Sequence, residues 1–269
     1  ATALLSPLTG IGQYSFHLAK SMLARRKIEI DFFYGAFWDQ SLRQKPSKTL
    51  SAVLPALRRH LPYAYEIKRW LQNHRFSHHT GPQNLKRRFD VYHEPNILPL
   101  RFDGPTVITV HDLSWIRNPE THPSERVRAM NRYFERGLGE VQAIVTPSLF
   151  VKNELMDLFG VPSKRISPIP LGVEACFRPL TMNQTRLVLD KNGLQHGRYF
   201  LAVGTLEPRK NLLLALRAYL QLPEKISRSY PLVLIGMKGW QTAELERQIA
   251  PLIRSGAVRQ MGYLPRSEL

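Results

Sequence analysis

The sequence predicts an α/β protein built on doubly wound parallel sheets, and two observations support that class. Short apolar runs rich in β-branched residues alternate along the chain with longer segments whose apolar residues recur at helical spacing. The 269 residues, 43% of them hydrophobic, are enough for one large domain or two smaller ones with packed cores. This composition excludes a disordered or collagen-like chain, and no apolar stretch reaches the roughly 18 residues of a membrane-spanning helix.

The alternation sets the order of the elements. Strands are expected at Ile28–Tyr34, Val91–His93, Thr106–Val110, Ala143–Thr146, Ile166–Ile169, Tyr199–Val203, Leu232–Ile235 and Val258–Met261. Helices are expected at Ile11–Arg26, Ser124–Leu138, Leu149–Phe159, Asn211–Leu222 and Thr242–Ser255. Strands joined in this way by helices are expected to pair in parallel.

A polar stretch between Leu180 and Gly197 interrupts the alternation and predicts a domain boundary. We therefore expect an amino-terminal Rossmann-like domain over residues 1–180 and a second one over residues 197–269. The first has no strand before its glycine loop, and the second has room for about half of a nucleotide-binding domain. Both ends of the sequence are accordingly expected to be incomplete, with the larger loss at the carboxyl end.

The chain is strongly basic. It carries 38 Lys and Arg residues against 21 Asp and Glu residues, for a formal charge of +17 and an isoelectric point near 10.3. Such an excess favours partners that carry phosphates: nucleic acid, anionic lipids, or nucleotide and lipid-diphosphate substrates. The single cysteine, Cys176, excludes an internal disulfide and a cysteine-rich metal site and indicates a reduced, cytoplasmic protein.

Much of the excess charge lies in residues 41–89, where aromatic residues and an amphipathic leucine pattern are interleaved with the cations and Glu66 is the single acid. Such a segment suits contact with an anionic membrane surface. It equally suits a solvated insertion whose apolar side joins the core. Nucleic acid is not expected as the partner, since no recognised binding motif accompanies the charge.

A first candidate motif is the glycine pair Gly10 and Gly12 at the start of the first predicted helix. Glycines allow the backbone to approach a ligand closely, and a helix N-terminus offers free N–H groups to phosphate. The pair lacks the third glycine of the dinucleotide fingerprint, so a tight turn is the other interpretation.

A second motif places His111 and Asp112 directly after an apolar strand, at the carboxyl end where open α/β sheets bind ligands. Imidazole there can hydrogen-bond a sugar hydroxyl or transfer a proton, or it can merely cap the strand. His93 ends the preceding strand and is expected at the same edge, with a structural role favoured over a catalytic one.

A third motif runs from Gly204 to Asn211, between an apolar strand and a helix. Arg209 and Lys210 are expected in the first turn of that helix, where cations run against the usual preference for acids. This departure indicates a bound anion, and the two cations together suit a diphosphate. A solvated basic turn is the alternative.

Two weaker features concern turns. Ser148 is expected to cap the helix that follows it, and Gly236 either admits a nucleotide base or makes a turn.

In order and spacing, these segments resemble the retaining glycosyltransferases of family GT4, which have the GT-B fold. The resemblance covers nearly the whole chain and rests on 10–14, 90–96, 109–113, 146–148 and 203–211. It implies two Rossmann-like domains facing a cleft, the second truncated in this sequence. The amino-terminal domain would bind the acceptor.

The resemblance also implies roles for individual residues. Gly12 would face the donor diphosphate and sugar, and His111 would stabilise charge developing on the transferred sugar. Arg209 and Lys210 would neutralise the leaving diphosphate in place of a metal ion, so that neither a metal nor a cofactor is expected. The expected donor-binding set is Gly10, Gly12, Gly204, Thr205, Glu207, Arg209 and Lys210, with His111, Arg209 and Lys210 as the catalytic residues.

The implied reaction transfers a hexose, mannose or rhamnose, from a nucleotide sugar that is expected to be GDP-linked. The acceptor would be a glycan or a lipid-linked glycan of surface-polysaccharide assembly, at the inner face of the plasma membrane. Many relatives carry Arg where this chain has Thr205. A family segment with two glutamates is expected beyond Leu269, so these residues alone are expected to be inactive.

Two other readings remain. A non-catalytic basic α/β module would bind anionic membrane or nucleic acid through residues 41–89. A dinucleotide oxidoreductase is disfavoured, because neither glycine loop has the full fingerprint followed by an acidic ribose-binding residue.

Overall fold

The computed structural model describes residues 1–5, 7–25, 27–43, 64–81 and 89–269. The chain divides into two compact units. The first comprises Ala1–Arg117 and Glu125–Gly172, and the second comprises Asn118–Ser124 and Val173–Leu269. Each unit contains its own parallel sheet and its own apolar core. The predicted α/β class is confirmed.

The first unit is a four-stranded parallel sheet with helices packed on it. Its strands are Tyr92–Glu94 (β3), Thr106–Thr109 (β4), Ala143–Thr146 (β5) and Ile166–Pro168 (β6), hydrogen-bonded in that order. Its helices are Gly10–Leu23 (α1), Ala64–Thr80 (α2), Ser114–Arg117 (α3), Ser124–Glu140 (α4) and Leu149–Phe159 (α5). The short antiparallel pair Phe32–Phe33 (β1) and Trp38–Asp39 (β2) lies apart from that sheet.

The core of this unit follows from strand and helix periodicity. Ile108 and Ile144 lie on neighbouring strands and are fully buried, while Phe134 and Leu155 contribute the inner faces of α4 and α5. Ser148 caps α5 as predicted, since its side chain accepts a hydrogen bond from the Val151 backbone N–H. Burying four large apolar side chains contributes about 1.5–3 kcal/mol each.

The second unit contains a three-stranded parallel sheet. Its strands are Phe200–Val203 (β7), Leu232–Ile235 (β8) and Val258–Gly262 (β9), with β8 in the middle. All four residues of β8 are buried, as expected of a central parallel strand. The helices are Met182–Lys191 (α6), Leu212–Leu220 (α7), Glu224–Ser229 (α8) and Ala243–Arg254 (α9).

One sequence-based expectation was wrong in detail, and one helix was not predicted. In the expected strand Ile28–Tyr34, only Phe32–Phe33 is extended and paired, and its partner Trp38–Asp39 is antiparallel. The polar stretch before Gly197, where a domain boundary is expected, contains α6. Its start is fixed by a reciprocal capping box between Thr181 and Gln184, which favours a helix even in a polar sequence.

Candidate active site

The carboxyl ends of β3 and β4 bring several polar side chains together in the first unit. The two strands pair in parallel with His93 opposite Val107, so their carboxyl ends lie at one edge of the sheet. His93 Nε2 lies 3.1 Å from Thr109 Oγ1, and Tyr14 of α1 places its hydroxyl 3.0 Å from the same oxygen. This hydrogen-bonded chain joins α1 to both strand ends.

His111 follows β4 and is held by two further contacts. Its Nε2 lies 3.0 Å from the Pro95 carbonyl oxygen, and its ring packs edge-on against Tyr14 with centroids 4.7 Å apart. Because a carbonyl only accepts hydrogen bonds, the neutral imidazole carries its proton on Nε2 and leaves Nδ1 as an acceptor. The structure therefore places His111 in a fixed orientation beside the glycine motif.

Asp112 is hydrogen-bonded within the turn that follows β4. Its Oδ1 accepts hydrogen bonds from the Ser114 backbone N–H and hydroxyl, at 3.0 and 2.6 Å. The carboxylate therefore holds the start of α3.

Burial changes the protonation of two neighbouring groups at this edge. Desolvation lowers the pKa of His93 below its usual value. Desolvation also raises the pKa of the Glu94 carboxyl, against the opposing effect of the hydrogen bond from the Tyr92 hydroxyl. Glu94 borders an apolar cavity of about 200 Å³ lined by residues such as Phe33 and Phe76. Neutral forms of both groups are thereby favoured.

The two glycines of the first motif differ in their surroundings. Both lie in the first turn of α1, which begins at Gly10. A Cβ at Gly10 would meet no atom within 4 Å, whereas a Cβ at Gly12 would lie 3.1 Å from the Ala3 carbonyl oxygen and from Leu8 Cδ2. Close packing against the preceding chain therefore explains the need for glycine at Gly12.

In the second unit, the turn after β7 corrects the expected position of the two cations. Arg209 and Lys210 do not lie in the first turn of the helix. They lie in a short 3₁₀ turn, Pro208–Lys210, and α7 begins only at Leu212. Asn211 separates the two elements with a left-handed backbone (φ 49°), which breaks the helical path. The expected conflict between cations and a helix dipole is therefore absent.

The side chains of this turn differ in burial and in their ion pairing. Arg209 Nη2 lies 2.6 Å from Glu207 Oε1, and the Glu207 side chain is only 5% exposed. Lys210 is exposed, and its Cε lies 3.7 Å from where a Cβ on Gly204 would stand. No acidic side chain in the described ranges pairs with the Lys210 ammonium. Lys210 is therefore the cation available to an external anion beside Gly204 and Thr205.

Gly204 and Gly236 end adjacent strands of this sheet and touch through their backbones. A Cβ on Gly236, where φ is +153°, would lie 1.9 Å from the Gly204 carbonyl oxygen. Of the two interpretations of Gly236, the structure supports the turn, in which close backbone approach requires glycine.

Sequence reasoning singled out the glycines and His111 but missed the connecting residues Tyr14 and Thr109. Both stand inside the quoted motifs, and Thr109 ends a strand, which was the available signal. No three His, Cys, Asp or Glu side chains converge as a metal site in the part of the chain that the structure describes. Within the same ranges, no helix is both long and apolar enough to cross a membrane.

The basic segment of residues 41–89 lies partly outside the described residues, since 44–63 and 82–88 are not described. Its described part is mainly α2. Phe76 of that helix is 1% exposed and joins the core, whereas Ile67 and Leu71 are exposed. Part of the apolar side of α2 is therefore buried in the core, and part of it is exposed on the surface.

Comparison with known proteins identifies one family. The profile of Glycosyltransferase Family 4 matches residues 8–175. The O-antigen chain mannosyltransferase B of Escherichia coli is 35% identical over 270 aligned residues, which cover 98% of this chain and 70% of that protein. The serotype-specific mannosyltransferase WbdA of Escherichia coli is 30% identical over 48% of this chain, a match that covers 16% of its own length.

Among solved structures, WaaG, described as a glycosyltransferase involved in lipopolysaccharide biosynthesis, superposes with a TM-score of 0.64 at 19% identity. The match covers 98% of this chain and 70% of that chain. This likeness confirms the expected GT-B fold class. The profile match over most of the chain, with the 35% identity along nearly its whole length, shows that this protein is a glycosyltransferase of family 4.

Proposed function

We propose that this protein transfers mannose, with retention of configuration, from a GDP-linked donor to a growing surface glycan or its lipid-linked precursor. The sugar and the polysaccharide follow from the O-antigen mannosyltransferase to which the chain is 35% identical. The GDP donor and the retaining course follow from the GT4 resemblance. Rhamnose is the second candidate sugar.

The observation that carries the proposal is the position of Lys210. The aliphatic part of the Lys210 side chain lies beside Gly204, directly after β7, and no acidic side chain in the described ranges pairs with the Lys210 ammonium. The carboxyl end of a parallel strand is where such sheets bind nucleotides. A positive charge fixed there stabilises the diphosphate as negative charge develops on the leaving group. In this proposal that charge acts without a metal ion or a cofactor.

His111 would act on the sugar. With its Nε2 proton committed to the Pro95 carbonyl, Nδ1 accepts a hydrogen bond from a sugar hydroxyl and orients the ring. The contact with Tyr14 keeps the imidazole in that orientation, and Tyr14 in turn is hydrogen-bonded to Thr109. The donor-binding roles proposed for Gly10, Gly12, Thr205, Glu207 and Arg209 rest on the resemblance.

We also propose that the protein works at the cytoplasmic face of the membrane, in contact with anionic lipid. The exposed side of α2 carries Ile67 and Leu71, 54% and 39% exposed, next to Lys68 and Arg75. Apolar side chains flanked by cations are typical of interfacial helices. This observation supports membrane contact through α2.

The deciding experiment is a donor screen with the complete gene product, in which each nucleotide sugar is offered with a mannose-terminated acceptor. We expect transfer from GDP-mannose, an α-linkage by NMR, and loss of transfer in Lys210→Ala. Transfer from another donor would overturn the choice of sugar or base. Full activity of Lys210→Ala, with an unchanged fold by circular dichroism, would overturn the assigned role of the lysine.

A further inference from the structure

A second cavity opens on the flank of the first unit, between α2 and the second half of α4. Its volume is about 420 Å³, within the usual range for small-ligand pockets. Its wall includes Glu140, the last residue of α4, and only two residues separate Glu140 from the start of β5. The cavity therefore lies toward the amino ends of the strands, whereas His111 follows the carboxyl end of β4. The length of β4 alone, about 10 Å, separates these two edges.

The wall of this cavity is held in place by internal hydrogen bonds. Arg69 Nη2 donates to the Pro99 carbonyl oxygen at 2.7 Å, and the Arg69 guanidinium stacks over the Tyr133 ring, 5.0 Å from its centroid. Asn73 Oδ1 accepts a hydrogen bond from the Arg101 backbone N–H at 2.9 Å. These contacts tie α2 to the loop and to α4, so the cavity is largely formed before a ligand arrives.

A flat aromatic surface stands at the rim. The Trp70 side chain is 65% exposed, and its ring stacks on His74 with an interplanar angle of 11° and centroids 5.8 Å apart. The faces of a hexose ring carry C–H groups as well as hydroxyls, so a sugar can stack on indole while its edges hydrogen-bond. Trp70 therefore offers a flat apolar face beside the polar side chains that line the cavity.

The charges of the cavity favour a neutral polar ligand over a phosphate. Three arginines, Arg69, Arg101 and Arg136, are accompanied by Glu66 and Glu140. Arg136 Nε lies 2.9 Å from Glu140 Oε1, and Arg69 donates to a carbonyl oxygen, a bond that leaves its charge in place. Planar donors and acceptors of both signs match pairs of sugar hydroxyls, whereas the carboxylates of Glu66 and Glu140 would repel a phosphate.

We propose that this cavity binds a segment of the glycan acceptor, a short run of neutral hexose units, away from the end at which transfer occurs. The inference rests on the proposed function, because that function makes a mannose-containing glycan the acceptor. A second glycan-binding site on the same unit would keep a growing glycan bound between transfers. Its bound segment would raise the effective concentration of the acceptor end at the active site, whereas an acceptor too short to reach both sites would gain nothing.

The test measures binding of α-linked mannotriose to the 269-residue protein in the absence of any donor. Binding is detected by saturation-transfer NMR and quantified by titrating the protein with mannotriose. We expect Trp70→Ala to weaken binding at least about tenfold, the loss of roughly 1.4 kcal/mol of contact energy. His74→Ala, which removes the stacked partner, should weaken it in the same direction. The matched control, Leu187→Ala, changes an exposed apolar residue of α6 in the second unit, outside the cavity, and should bind as the unaltered protein does.

Equal binding by Trp70→Ala and Leu187→Ala would overturn the proposal, as would an absence of saturation transfer at glycan concentrations on the order of 10 mM. Trp70-dependent binding of phosphatidylglycerol vesicles in place of mannotriose would also overturn it and assign the cavity to a lipid headgroup. Because no donor is present, these outcomes are independent of the donor screen. If mannotriose binds but the complete gene product transfers no sugar in the donor screen, only the proposed function is contradicted. If sugar is transferred but mannotriose binding does not depend on Trp70, only this inference is contradicted.

Discussion

The guanidinium of Arg209 lies 2.6 Å from the carboxylate of Glu207, while the neighbouring Lys210 makes no such pair in the described part of the chain. Two adjacent cations of one turn therefore have different electrostatic surroundings. Arg209 stabilises a carboxylate that is only 5% exposed, and Lys210 presents its charge beside Gly204. The two residues should respond differently to the same substitution.

Lys210→Ala should lower kcat/KM by about 10²–10³-fold, because it removes charge that stabilises the leaving diphosphate. Its free energy of unfolding should change by less than about 0.5 kcal/mol, as expected for an exposed side chain. Arg209→Ala should weaken donor binding and also destabilise the protein by about 1–2 kcal/mol, since it removes the ion-pair partner of the Glu207 carboxylate. Steady-state kinetics and urea denaturation measure the two effects.

Lys225→Ala is the matched control, an exposed lysine on α8 of the same unit, and should change neither quantity. If Lys210→Ala mainly lost stability while Arg209→Ala mainly lost activity, the assignment of the two cations would be reversed.

The hydrogen bond between Tyr14 and Thr109 should appear as an energetic coupling between α1 and β4. Tyr14→Phe and Thr109→Val each remove one partner while keeping the shape of the side chain. Urea denaturation of both single variants and the double variant should give a coupling energy of about 0.5–1.5 kcal/mol. Additive effects within about 0.3 kcal/mol would mean that the bond contributes nothing to the fold.

The sequence was sufficient to predict the elements that depend on local periodicity. The buried strand β8 and the helix capped by Ser148 follow from apolar runs and a capping residue, and the structure has both. The ion pair between Glu207 and Arg209 was not foreseen, because residue spacing does not reveal which of two neighbouring cations turns toward a carboxylate. The helix after Thr181 was not predicted for a related reason, since it depends on a cap rather than on an apolar face.

The same limit applies to the site of the first unit. His111 and His93 were recognised because each follows an apolar strand. Their link through Thr109 depends on the register of β3 against β4, which only the folded sheet fixes. Residues that connect motifs distant in the sequence therefore cannot be predicted from each motif considered separately.

His93 should make the protein less stable in mild acid. Burial lowers its pKa in the folded state below the value of about 6.5 for an exposed histidine. Its contribution is complete above pH 6.5 and is lost as the pH falls from 6.5 to the folded-state pKa, because the unfolded chain binds the proton first. Denaturation midpoints between pH 7.5 and about 5 should fall less steeply in His93→Gln than in the unaltered protein.

Gln221→Ala supplies the control, since Gln221 is exposed and its side chain carries no titratable group. It should leave the slope of stability against pH unchanged. An identical slope in His93→Gln and the unaltered protein would contradict the assignment of this titration to His93.

The exposed side of α2 should govern binding to anionic vesicles. Ile67→Ser combined with Leu71→Ser removes two apolar side chains from the proposed interface, and the partition coefficient should fall by about tenfold or more. Binding should also weaken with added salt, because Lys68 and Arg75 interact with lipid charge. Leu187→Ser is the control, as Leu187 is 84% exposed on α6 of the second unit. Cosedimentation with phosphatidylglycerol vesicles measures the difference, and equal losses in both variants would exclude α2 as the membrane contact.

Gly236→Ala should destabilise the second unit by at least about 2 kcal/mol. The added Cβ would lie 1.9 Å from the Gly204 carbonyl oxygen, and the backbone φ of +153° is itself unfavourable for alanine. Because β8 is buried along its length, the strand cannot move aside without disturbing the core. The displaced group belongs to Gly204, which stands beside Lys210, so kcat/KM should fall along with stability.

Gly139→Ala separates this effect from the general effect of adding a methyl group. Gly139 lies in α4, and a Cβ there would meet nothing within 4 Å. Alanine has the higher helix propensity, so this variant should be as stable as the unaltered protein or gain about 0.5–1 kcal/mol. Thermal denaturation of both variants decides the matter. If Gly236→Ala melted at the same temperature as Gly139→Ala, the backbone contact between β7 and β8 that positions Gly204 would not exist as described.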